Sequence, residues 1–573
     1  MSFLRLVPVI LAAFLISCIS SGRDRKRDGG RERSATDGGR PAACACEDRW
    51  RIEPAGRDVP GTGGTPEPGG TMVVHADSEP PHFNYMLKPD AMATWIAMHD
   101  VLETLVRLDP RTLEIVPELA ERWEVSDEGK TITFHLRSGV EWHDGRPFSS
   151  ADVAFTFDRL MDPNVLAAAQ RADFENVDRW EAPDERTFVL RLKWVHFATM
   201  PNLDHLQILP RHVFARGDFN NHPANRAPVG TGPFVLDHWT PGDEIVLVKN
   251  RRYWGRPAWL DRVIYRVVRD RSVAFEMCKR GEIDLMWRLL PEQVADQLDP
   301  ELLSRYNLVQ YWPFKTAFWV YNTRRPFFRE ARVRRALTML IDRDMIRCSV
   351  ERCLSRVVGQ LYPPEQPVGQ PPIPPIPFDP ERAKAILDEA GWRDSDGDGV
   401  RDKRIDGKLV PFRFTFLATA GSTSLQRQAA IVQNELRRAG IDMDIQQTDW
   451  VVFSERLREH EFDAGSLLWV FDSPAIDLFS IFHSSQASGG GVNYGAWRHA
   501  EADRILDEAR HVLDASRRNA MYHRLSELVA EEQPYTVMLN QANNSLVSKR
   551  LHGVYTSIAW YQERDVWIPR AEQ

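Results

Sequence analysis

Long cationic runs are missing from this sequence. Its 73 Lys and Arg are outnumbered by 81 Asp and Glu, for a formal net charge of −8. A dedicated nucleic-acid binder would need a concentrated basic face, so that class is set aside. The short strings of common enzymes are missing too. There is no Walker lysine loop and no His-Glu-x-x-His, and "GTGPF" from Gly230 lacks the third glycine and the opening helix of a dinucleotide loop. No Gly-x-Ser-x-Gly marks a nucleophile elbow, so the reading is that the chain is not an enzyme and requires no cofactor. Nor is there an internal repeat of 20 to 50 residues of the kind that solenoids and propellers show.

Cysteine is scarce: six in 573 residues. Residues 1–18 carry Arg5, then the apolar run "LVPVILAAFLI", too short for a membrane span, and end in "LISC". That string resembles the lipobox of bacterial lipoproteins and predicts an export signal cleaved before Cys18, which then carries lipid. Two or more acyl chains, at about 0.8 kcal/mol per buried methylene, anchor a protein stably. Residues 19–70 are rich in Gly, Arg, Ser and Pro and poor in large apolar side chains, and so predict a flexible tether. Cys44 and Cys46 lie within it as "CAC", without His or a second Cys pair at zinc spacing. Cys348 and Cys353, five apart at the expected end of a helix, suggest a local disulfide, and Cys278 a buried free thiol.

What is abundant is material for cores, 43% hydrophobic residues and 10% aromatic, enough for two or three in a chain this long. "TWIAMHDVLETLVRL" places Trp95, Met98, Leu102 and Leu105 on one helical face. "TITFHL" alternates as a strand, and Ser149-x-x-Asp152 caps the helix that follows. "EARVRRALTMLID" and "EADRILDEARHVLD" are amphipathic helices, while "QPPIPPIPFDP" is a connection that no helix or central strand could cross. The fold class is mixed α/β with several lobes.

The block "VLETLVRLDPRTLEIVPELAERWEVSDEGKTITFHLRSGVEWHDGRPFSSADVAFTFDRL" resembles the signature region of family 5 solute-binding proteins, the oligopeptide- and dipeptide-binding components of bacterial ABC importers. "PVGTGPFVLDHWTPGDEIVLVKNRRYWG", "YNTRRPFFREARVRRALTMLIDRDMI", "FDPERAKAILDEAGW" and "YHRLSELVAEEQPYTVMLN" follow in that family's order, covering residues 71 to 570. The resemblance implies a periplasmic-binding-protein type II clamshell. Lobe I would span 71–305 with an extra subdomain at about 91–175, lobe II 306–532, and 533–573 would return to lobe I. It also implies a peptide ligand held between the lobes and a permease partner in the membrane. The protein is expected to act as a monomer on the periplasmic or cell-surface side.

In peptide-binding members of the family, a Trp followed three residues later by an Asp helps to hold the peptide's α-ammonium. Trp469 and Asp472 in "LLWVFDSPAIDLF" match that spacing. Asp477 is either the cap of the next short helix or an alternative carboxylate. Asp77, Ser78 and Glu79 stand where the family's first strand turns into the cleft. Tyr321 and Asn322 stand near the expected start of lobe II, with core packing the other reading for Tyr321. The fold leaves other cargo open: an oligosaccharide, a nickel chelate, haem or glutathione.

"DSDGDGVRD" has the spacing of a calcium loop, with Asp394, Asp396 and Asp398 at positions 1, 3 and 5, the Val400 carbonyl at 7 and Asp402 at 9. Position 12 is Ile405, not the bidentate Glu of an EF-hand. A helix ending at Gly391 precedes the loop and an Asp406-Gly407 hairpin follows it. A structural calcium, not a sensor, is the most this loop suggests.

Overall fold

In a computed structural model, the described residues are 46, 52–54, 57–59, 63–87, 90–362, 364–470, 475–488, 491–556 and 563–573. The signal segment with Cys18, most of the expected tether, and Asp472 lie outside them. Two sheets organise the rest. The first has eight strands in the order Glu53–Pro54, Tyr306–Trp312, Asn543–Ser548, Leu285–Met286, Thr71–Ala76, Arg262–Val267, Glu244–Lys249, Phe234–Thr240. The second has five, in the order Asp442–Thr448, Arg413–Thr419, Ala464–Val470, Lys315–Tyr321, Tyr535–Val537. The chain passes between the sheets twice, from Trp312 to Lys315 and from Val537 to Asn543, and these two crossings form the hinge.

The sheets correct the expected lobe limits. Tyr306–Trp312 pairs in the first sheet, so lobe I runs past 305, and Tyr535–Val537 pairs in the second, so the return comes after 532. The extra subdomain is a four-stranded antiparallel sheet, Ala120–Ser126, Thr131–Leu136, Thr187–Leu192, Val177–Asp184, backed by helix Ser150–Met161. Its core reaches Phe219, well beyond 175. Helix Ala91–Ala97 belongs instead to the core beneath the first sheet.

The anticipated capping box is present: Asp152 Oδ2 accepts from the Ser149 N–H at 3.0 Å. The long helix expected from Trp95 to Leu105 is not. It stops at Ala97, Met98 is extended, and His99 turns to φ +63°. The reason is a buried ion cluster that apolar periodicity does not register. His99 lies 3.0 Å from Glu118 and 3.2 Å from Asp204, and Val106–Leu108 continues as a strand. Burial opposes the imidazolium, yet the two carboxylates outweigh it and hold the His99 pKa at about 10.

The tether ends sooner than composition suggests. Cys46 forms a disulfide with Cys353, so the expected Cys348–Cys353 bond is replaced by one that spans most of the chain. The Cys348 sulfur lies 3.6 Å from that of Cys46 and is itself disulfide-bonded. From this clasp the strap runs to the first lobe, where Glu53–Pro54 pairs beside Tyr306–Trp312 and Arg57–Asp58 pairs with Tyr555–Thr556. Gly69 donates to the Trp259 carbonyl at 2.9 Å. These partners, all distant in sequence, order a segment that could not order itself. Cys278 is a buried free thiol, its pKa pushed up to about 12 by burial.

Candidate functional site

A cavity of about 1280 Å³ opens between the two sheets at the hinge, lined by both lobes. The first lobe contributes Asp77, Trp95, Trp287, Arg288, Tyr311 and Asn543. The second contributes Lys315, Glu351, Ser422, Ser424, Leu468 and Val470. Most of its wall is apolar, with a few charges gathered at its floor.

Strand Ala464–Val470 supplies the most telling part of that wall. One edge is fully paired with Lys315–Tyr321, from Lys315 opposite Val470 to Tyr321 opposite Ala464. On the other edge only Ala464 and Gly465 meet the Arg413–Thr419 strand. From Ser466 to Val470 that edge has no ladder partner among the described residues. Alternation along the strand sends Leu468 and Val470 toward the cavity, where they are 50% and 65% exposed. A half-open strand beside exposed apolar side chains is an aggregation hazard on an outer surface, but inside a cleft it is a template for another extended chain.

The charges are paired unevenly. Asp77 follows strand Thr71–Ala76 and accepts from Arg271 at 2.7 Å, with Arg288 at 4.0 Å. Burial works against its ionisation, but the two guanidiniums prevail and keep its pKa below the ordinary value. Arg288 adopts φ +53°, a left-handed conformation that costs a non-glycine residue about 1–3 kcal/mol and marks functional sites more than others. The bend sets its guanidinium 4.5 Å over the Trp95 ring. Glu351 is buried and accepts from Ser424 Oγ and Gln428 Nε2, both at 2.8 Å, which ties it to helix Thr423–Arg438. Lys315 Nζ donates to Asn543 Oδ1 at 2.8 Å, and burial, with Arg288 nearby, pushes its pKa down to about 7.

Several residues anticipated for the site lie elsewhere. Trp469 falls between Leu468 and Val470 and so faces the opposite side of the sheet, its ring stacked on Tyr494 with centroids 6.5 Å apart. Tyr321 is buried, with its hydroxyl 3.0 Å from that of Thr536, and Asn322 donates to the His460 and Phe462 carbonyls. Both serve the second-lobe core, where their polar atoms find protein partners. Ser78 is exposed, 3.4 Å from Asp77. Glu79 lines a second cavity and accepts from Trp239 Nε1 at 2.6 Å, bracing a hairpin.

Asp477 accepts from the Phe479 N–H at 3.0 Å but stands one residue before Leu478, the cap position of helix Phe479–Phe482. Its other oxygen meets His196 at 3.2 Å and Arg510 at 2.9 Å. It therefore belongs to a joint between the extra subdomain and the second lobe, not to the cavity. In that joint Phe197 packs into the second-lobe core and donates its N–H to the Arg510 carbonyl at 3.0 Å.

The aspartate loop does gather Asp394, Asp396 and Asp398, with one oxygen of each within 4.8 Å of the others. Three carboxylates suit a hard cation. Asp402, however, turns inward to accept from Ser395 N and Oγ, and Arg413 already meets Asp398 at 2.8 Å. The four side chains anticipated as ligands are thus reduced to three.

The sequence model described as "Bacterial extracellular solute-binding proteins, family 5 Middle" matches residues 114–490. The oligopeptide-binding protein AppA of Bacillus subtilis is 29% identical over 517 residues, covering 88% of this chain and 91% of that one. The dipeptide-binding protein of Escherichia coli is 25% identical over 506 residues, covering 84% and 91%. The solved structure of AppA with a nonapeptide superposes with a TM-score of 0.77 at 27% identity, over 88% of this chain and all of that one.

Proposed function

The chain belongs to the bacterial extracellular solute-binding proteins of family 5, and from that membership we propose that it captures peptides between its lobes and delivers them to the permease of an ABC importer. The observation that carries this reading is the strand edge over 466–470, which has no ladder partner among the described residues and whose Leu468 and Val470 line the cavity. A peptide laid along it would complete the ladder through its backbone, which binds extended chains with little regard to side chain. Asp472, two residues past Val470 in sequence, is assigned the peptide's α-ammonium, because a buried ammonium needs a counter-charge. The oligosaccharide alternative draws on Trp95 and Trp287, but these rings are tilted 39° to each other and Arg288 covers a face of Trp95, so they form no flat platform.

We further propose that the protein is a monomer anchored by lipid on Cys18, and that the aspartate loop can hold calcium only as a staple. No helix among the described residues is long and apolar enough to cross a membrane. Catalysis has no part in the proposal: cargo should leave the cleft unaltered. Mass spectrometry of what is released from the purified protein by mild denaturation tests the whole reading. Intact peptides are the expected finding. Sugars or a metal chelate in their place would refute it, and Asp472→Asn with undiminished peptide affinity would remove the role given to that residue.

A further inference from the structure

Lys315 opens the strand that begins the second lobe, and Asn543 opens the strand that returns to the first. Their 2.8 Å hydrogen bond therefore joins the two hinge crossings at the floor of the cavity. Asn543 is neutral, and among the described residues no carboxylate pairs with the ammonium. Two cations face it from the first lobe, Arg288 and Arg271, and one anion from the second, Glu351. Glu351 is engaged by Ser424 and Gln428, and Asp77 is engaged by Arg271. The cavity is thus lined by four cationic side chains, Lys315, Arg288, Arg271 and Arg269, against three carboxylates, Asp77, Asp270 and Glu351. His75 stands beside them, its pKa held below the ordinary value by burial.

Enclosing an ammonium without its own counter-charge costs several kcal/mol, which a lysine avoids by shedding its proton. We propose that Lys315 receives a carboxylate of the captured peptide, and that capture above neutral pH takes up a proton from solvent, because the ammonium forms fully only when that carboxylate is beside it. The surplus cation becomes a selector for cargo that carries a carboxylate within reach of the hinge. This rests on the peptide reading and adds to it a chemical requirement and a pH dependence.

The test uses the whole protein and a synthetic peptide library without Asp or Glu. Retained sequences are resynthesised as free acids and as C-terminal amides, and a second amidated library containing Asp and Glu distinguishes side-chain from terminal carboxylates. Calorimetry at pH 8 in buffers of differing ionisation enthalpy counts protons. The expected result is uptake of up to one proton at pH 8, fading below about pH 6, and at least about tenfold weaker binding of peptides stripped of every carboxylate. Lys315→Met should abolish both the uptake and the discrimination. Equal affinity for acid and amide without proton uptake would overturn the inference and leave peptide capture standing. Failure to retain any peptide would overturn both. Should the variant not fold, the buffer dependence of the unaltered protein decides alone.

Discussion

In the ligand-free protein, Lys315 also makes the fold sensitive to pH. Its unfolded-state pKa is the ordinary lysine value of about 10.4, whereas in the fold it is about 7. Between those values the unfolded chain holds a proton that the folded chain has released, so stability rises with pH across that window. Below pH 7 the penalty of the buried charge is present in full. His99, which keeps its proton in the fold up to about pH 10, lowers stability over the same range. The gain from Lys315 is therefore read as a difference: between pH 7 and pH 9, urea denaturation should leave Lys315→Met losing ground relative to the unaltered protein. An equal slope in both proteins would show that Lys315 is charged in the cavity throughout. This residue was legible in the sequence only as the single charge in "KTAFWVY". Nothing local reveals that its partner is an asparagine more than two hundred residues on. Asp477, Tyr321 and Asn322 illustrate the converse: polar residues in suggestive positions whose partners are other parts of the fold.

Among elements, those governed by local chemistry were the legible ones. The capped helix Ser150–Met161, the helix Pro380–Glu389 and the hairpin turning at Asp406-Gly407 follow from side chains a few positions apart. Phe414 and Phe416, two apart on strand Arg413–Thr419, are likewise buried as alternation requires. The segment after Ala97 was misread because a distant ion cluster outweighs its helical period. The joint at Trp194–Thr199 was not legible at all, since it depends on how two lobes meet. There Arg510 bridges Asp477 and Glu175 while Phe197 enters the opposite core, a non-covalent link between lobes beyond the hinge. A link in this place predicts a latch for the closed form, strained or released as the cleft opens. Hydrogen exchange should find the Phe197 amide, bonded to the Arg510 carbonyl, slower with peptide than without it. Arg510→Ala should erase most of that difference. Equal protection in both states would mark the joint as a fixed seam.

For the whole molecule, the two-lobed architecture was readable because five colinear blocks carry it, while the limits of its lobes were not. Those limits are set by which sheet a strand joins, a matter of pairing across hundreds of residues. The Cys46–Cys353 bond is the extreme case, linking a segment with the composition of a tether to the second lobe. Removing it together with the neighbouring bond of Cys348, as the Cys46→Ser, Cys348→Ser, Cys353→Ser triple variant, should cost about 2–4 kcal/mol of stability, read from the denaturant midpoint. A loss below about 0.5 kcal/mol would show that the strap's pairing with Tyr306–Trp312 holds it unaided.

That bond also sets a chronology. Cys46 is synthesised 307 residues before Cys353, yet both precede Asn543–Ser548, the strand that sits between Tyr306–Trp312 and Leu285–Met286 in the finished first sheet. When the clasp can first close, the sheet is still in two parts with a gap at its centre. In the finished fold the strap is paired to the outer part and fixed at its far end, which is where a brace for that part would have to lie until the last-made strand fills the space.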